Sequence, residues 1–169
     1  MIYFESAIFI GWALAVVLFD WQRRSIPNSL VAAGGVFALA FAALGISPFQ
    51  TAIGFALLGA LAGFAALLPF YLLGMMGAAD VKAFAVLGAW CGPRELVGVW
   101  VAASLAAAVH ALVLLARRED RVVLSLRSLA AHASVAERRR NSTPYGALLA
   151  AAGIGQLALH LLNATGRPA

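Results

Sequence analysis

Apolar residues run almost unbroken along this chain, and the polar residues that interrupt them fall into a few short clusters. The first run, Ile2 to Phe19, ends at Asp20 and the polar stretch Gln22, Arg23, Arg24, Ser25. A second extends from about Leu30 to Leu44, closed by Gly45 and Pro48, and a third from about Ala52 to Leu73, with Pro69 near its end predicting a kink. The next stretch, Val81 to Trp90, is too short to cross a bilayer before Cys91, Gly92 and Pro93 break it. Its helix must start early or lie beside a loop that dips into the membrane, which places Asp80 below the surface. A fifth run covers about Leu96 to Leu115, and a sixth about Tyr145 to Leu162. At about 20 residues per crossing, this predicts an all-α, polytopic membrane protein of about six transmembrane helices, with residues 1–169 forming one domain.

Composition agrees. The 169 residues are 63% hydrophobic and 11% charged, with a mean hydropathy of +0.92, which excludes a soluble domain of ordinary composition. The sole cysteine, Cys91, excludes an intramolecular disulfide and a multi-cysteine zinc site, and reads as a packed small residue. Gly59 and Gly63 form a small-xxx-small pair on the third span, which lets helix backbones approach closely. In the one sizeable loop, residues 117–143, Val122, Leu126, Leu129, Ala133 and Ala136 recur at helical spacing and predict an interfacial amphipathic helix. No inverted repeat of the kind found in carriers is visible along the chain.

The cations set an orientation. With the loop after the first span inside, Arg23, Arg24, Lys82, Arg117, Arg118, Arg121, Arg127 and Arg138 to Arg140 all lie on the cytoplasmic side, and only Arg94 and Arg167 fall outside. The amino terminus is then outside, and Asp20 and Asp80 share the cytoplasmic end. The net charge of +5 does not imply nucleic acid, because the basic residues cluster beside spans without interleaved aromatics. Anionic lipid headgroups are the expected partner, with Arg23, Arg24 and Lys82 as weak candidates for lipid or substrate contact. No basic stretch precedes the first run and arginines follow it, so it reads as a retained span and not a cleaved signal.

Asp20 and Asp80 carry the candidate chemistry. An ionised carboxylate in hydrocarbon costs roughly 2.5 to 3.5 kcal/mol on insertion scales, so an aspartate there marks function. The two stand at one face with no other buried acid expected beside them. Two carboxyl groups can hold a water between them, one ionised to take its proton and the other protonated to donate to a carbonyl or leaving amine. Such a pair hydrolyses a peptide bond with neither metal nor covalent intermediate, and a close pair shares one proton. No cofactor or metal is expected. His110, His132 and His160 lack ligand spacing, and no Ser-x-x-Lys, His-Glu-x-x-His or Gly-x-Ser-x-Gly pattern is present. Pro27 and Asn28 shape the turn into the second span. The same two acids leave open a small proton-coupled membrane carrier, or a non-catalytic assembly factor for a pilus or secretion machine.

The run Asp20, Trp21, Gln22, Arg23, Arg24, Ser25, Ile26, Pro27, Asn28 resembles the segment after the first span of type IV prepilin peptidases. Gly77, Ala78, Ala79, Asp80, Val81, Lys82 is similar to that family's Gly-x-Gly-Asp-Val-Lys segment, and Pro144, Tyr145, Gly146 to the motif opening its last span. The three come in family order. The resemblance implies a membrane aspartic peptidase with Asp20 and Asp80 as its catalytic pair, cutting the leader from prepilins at the cytoplasmic face of the bacterial inner membrane. Larger members carry a zinc-binding amino-terminal domain and methylate the new amino terminus. This chain looks like the minimal type associated with Flp or tight-adherence pili, with no methyltransferase activity expected. It departs from the pattern at Ala79, where the family has glycine, a residue that tolerates backbone angles alanine resists.

Overall fold

The computed structural model describes residues 2–23, 25–122 and 145–165. Among them are five helices and no strand: α1 (Ile2–Arg23), α2 (Asn28–Ala43), α3 (Ile53–Leu72), α4 (Ala78–Val122) and α5 (Tyr145–Thr165). The all-helical expectation holds. Pro27, with no N–H to lose, takes the N-cap position of α2, and its carbonyl accepts the Leu30 and Val31 amides at 3.1 and 3.2 Å. Helix α3 continues through Pro69 to Leu72.

Helix α4 is two arms. Gly92, at φ 75° and ψ 172°, breaks it in a conformation open to glycine, and Pro93 supplies no amide to continue the first arm. The chain reverses there, because Phe84 and Trp100, eight residues to either side, line the same apolar groove beside Phe70. The reversal releases the Trp90 carbonyl, which the Thr51 and Ser47 hydroxyls cover at 3.1 and 3.5 Å. The first arm is buried nearly all round, with Val81, Ala83, Phe84, Leu87, Ala89 and Trp90 almost inaccessible. Burial on every side explains why its sequence shows no polar face.

Among the described residues, four stretches are long and apolar enough to cross a membrane: Phe4–Arg23, Ile53–Leu72, Ala78–Val113 and Tyr145–Asn163. Six crossings were expected from the apolar runs; one of these four stretches holds both arms of α4, and α2 is a shorter apolar helix of about 24 Å at 1.5 Å per residue. The early start anticipated for the fourth helix is found at Ala78. Of the interfacial helix expected over 117–143, residues 117–122 continue the backbone of α4 and the remainder lies outside the described residues.

Helix α3 packs against α4 through glycine contacts. A methyl at position 59 would overlap the Gly88 carbonyl oxygen, and one at position 88 the Gly59 oxygen; at position 63 it would meet the Phe84 oxygen at 2.8 Å. The small residues on α3 thus serve backbone approach. Gly88→Val should push the helices apart at a cost of about 1–3 kcal/mol or more, read as a lower melting temperature of the purified protein in detergent. Beyond this contact, Phe9, Trp12, Phe41, Phe49 and Trp90 form an edge-packed aromatic cluster, with Phe9 and Trp90 rings 5.4 Å apart. The Trp12 indole donates to the Leu30 carbonyl at 2.9 Å, joining α1 to α2.

Candidate active site

Asp20 lies inside α1, not after it. The first run was expected to end at Phe19, but no breaker precedes Pro27, and the helix continues to Arg23. Phe9, Ala13, Val16 and Asp20 follow one another at helical spacing on the face that packs inward, and Asp20 is only 7% exposed. The polar end of that stripe is therefore held within the bundle.

Asp80 is placed by its own helix start. It sits three residues after Gly77, in the first turn of α4, where its Oδ2 accepts the Gly77 N–H at 3.3 Å while its amide donates to the Gly77 carbonyl at 3.1 Å. This reciprocal pairing is the carboxylate arm of a helix cap, and it orients the side chain from within its own turn. Ala79 occupies the ordinary helical turn between them and has no positive φ. The departure from the family glycine thus carries no backbone strain. Ala79→Gly should lower helix stability by roughly 0.5–1 kcal/mol, as read from thermal melts.

The third component is the start of α5. The first amides of a helix have no partner within it and favour negative charge. The Ala147 N–H donates to Asp20 Oδ2 at 2.7 Å, and the Gly146 N–H bonds the Asp80 carboxyl. Two aspartates from two other helices thereby do for α5 what a capping side chain ordinarily does. A methyl on Gly146 would meet Ile26 Cδ1 at 2.9 Å, Asp80 Oδ1 at 3.0 Å and Asp20 Oδ2 at 3.2 Å. The two carboxyl oxygens are thus no further apart than those last two distances laid end to end.

All three sequence motifs converge here. Ile26 packs on Gly146, and the Lys82 ammonium donates to Asn28 Oδ1 at 3.1 Å, tying the start of α2 to α4. Lys82 is exposed, as is Arg23, whose guanidinium lies 5.4 Å from the centre of the Phe19 ring. Tyr145 directs its hydroxyl to Ser104 on the second arm of α4, at 3.2 Å. Arg24 and Pro144 lie outside the described residues. Among the described residues, no three His, Cys, Asp or Glu side chains converge as a metal site would require.

The sequence model of the type IV leader peptidase family matches residues 7–112, which include both aspartates. The chain belongs to the type IV leader peptidase family. It is a membrane protein of apolar helices whose family function is peptidase cleavage of leader sequences. No curated protein matches the chain, and no solved structure matches it.

Sequence reasoning missed two residues that contact this site's helices, and one buried acid elsewhere in this leader peptidase. Ala147, whose amide binds Asp20, and Ser104 carry no motif; the free amides at the first turn of α5 were a usable signal for the former. Glu5, 5% exposed, is a further buried acid that was not expected. Packing of α1 within the bundle encloses it.

Proposed function

We propose that this chain is a membrane aspartic endopeptidase that removes the leader from Flp-type prepilins at the cytoplasmic face of the inner membrane, using Asp20, Asp80 and an activated water. The observation that carries this reading is the pair of carboxyl groups from α1 and α4 held on one point by consecutive amides of α5. In the reaction, one aspartate takes a proton from the water as its oxygen attacks the scissile carbonyl carbon. The other gives a proton to the carbonyl oxygen, and the tetrahedral intermediate collapses with proton transfer to the leaving amine. The backbone donors hold the carboxyl groups without reorganisation during these steps, which is where a fixed polar site gains over water.

The cationic clusters support the orientation, since they flank the aspartate end of the spans. Arginines beside the spans are also suited to anionic headgroups at that face. The new amino terminus is left unmethylated on this reading.

Co-expression with a Flp-type prepilin, followed by intact-mass measurement, tests the proposal. The expected product has lost the leader and carries no added methyl mass. An uncleaved prepilin beside membrane-inserted native chain would overturn it, and uptake driven by membrane potential would instead favour the carrier reading.

A further inference from the structure

Both aspartates meet α5 through its second and third amides, so the rotational setting of α5 decides whether those two donors reach them. A helix turned about its axis by part of a residue step would aim those N–H groups elsewhere. Contacts that α5 makes with α1 and α4 hold that setting.

One polar contact reaches the first residue of α5 from the second arm of α4. The Ser104 and Tyr145 hydroxyls lie 3.2 Å apart, in a partly buried setting. Ser104 is otherwise surrounded in sequence by Ala102, Ala103, Leu105 and Ala106, so its hydroxyl sits on an apolar stretch where a hydrogen-bond partner is hard to replace. Tyr145 packs its ring against the hydrophobic core and immediately precedes Gly146. The tether therefore acts one residue from the amide that binds Asp80 and two from the amide that binds Asp20.

We infer that Ser104 is a positioning residue of the peptidase: its hydrogen bond to Tyr145 sets the amino-terminal turn of α5 so that the Gly146 and Ala147 amides hold Asp80 and Asp20. This deepens the proposed function and rests on it. Ser104 acts through Tyr145, so its loss is expected to act on the rate of the chemical step and to leave substrate binding alone.

The test uses the full chain in membranes, with Ser104→Ala, Tyr145→Phe, the double variant and Ser104→Thr. Two readouts are taken: kcat and KM for leader removal, and the rate at which a hydrophobic carbodiimide labels Asp20 and Asp80, mapped by peptide mass. Each single variant is expected to lower kcat roughly 10- to 100-fold at unchanged KM, with the double variant no worse than either single one. Ser104→Thr, which keeps the hydroxyl, is expected to restore the rate. Labelling should rise several-fold in Ser104→Ala and Tyr145→Phe and return to native in Ser104→Thr, because the carboxyl oxygens lose the amides that occupy them. Native labelling in Ser104→Ala, or no recovery in Ser104→Thr at equal membrane levels, overturns the tether. The labelling arm decides this even if the native chain cleaves no prepilin, an outcome that would remove the peptidase reading alone.

Discussion

Asp20→Asn and Asp80→Asn are each expected to lower prepilin cleavage by about 10²- to 10⁴-fold or beyond detection, with the chain still inserted and folded. Asparagine keeps the shape and one acceptor oxygen. At position 20 that oxygen can still receive the Ala147 N–H, now at 2.7 Å, and at position 80 it can still complete the pairing with Gly77. The caps of α4 and α5 therefore survive. What is lost is proton exchange: an amide neither takes a proton from water nor gives one to the leaving amine. Removing either member stops the same cycle, so the double variant should be no worse than a single one. Intact mass of the co-expressed prepilin reads activity, and thermal melting of the purified variants reads fold. A single Asn variant that cleaves at the native rate would exclude the two-aspartate mechanism.

The acids were legible in the sequence because hydrocarbon makes a carboxylate conspicuous. Helices α3 and α5 were legible for a related reason, since apolar runs of about 20 residues have few other uses. The break at Gly92 was readable from Gly-Pro, and the glycines of α3 from their spacing. What escaped was set by contacts between distant segments. Nothing local distinguishes the Ala147 amide from any other, yet α1 brings Asp20 to it across 127 positions of sequence. Hydropathy also responds alike to lipid and to surrounding protein, so the near-complete burial of the first arm of α4 within the bundle could not be read from its apolar sequence. Burial of Glu5 was invisible on the same grounds.

Gly146→Ala is expected to reduce cleavage by at least about 100-fold, a loss larger than its single methyl group suggests. Position 146 is where the two carboxyl groups and Ile26 meet, and the added carbon would stand 2.9 Å from Ile26 Cδ1, 3.0 Å from Asp80 Oδ1 and 3.2 Å from Asp20 Oδ2. Part of this crowding is apolar and can be relieved, since the tip of the Ile26 side chain is the far end of a flexible group. The rest cannot be relieved without moving the acids off their amides or moving α5 away from them. Ile26→Val, which removes that tip, should therefore recover thermal stability in the Gly146→Ala background without recovering cleavage. Separate measurement of melting temperature and initial rate in the single and double variants distinguishes the two contributions. Full recovery of rate by Ile26→Val would mean that the methyl acts through packing alone, and that the distance between the acids and the start of α5 is not what cleavage depends on.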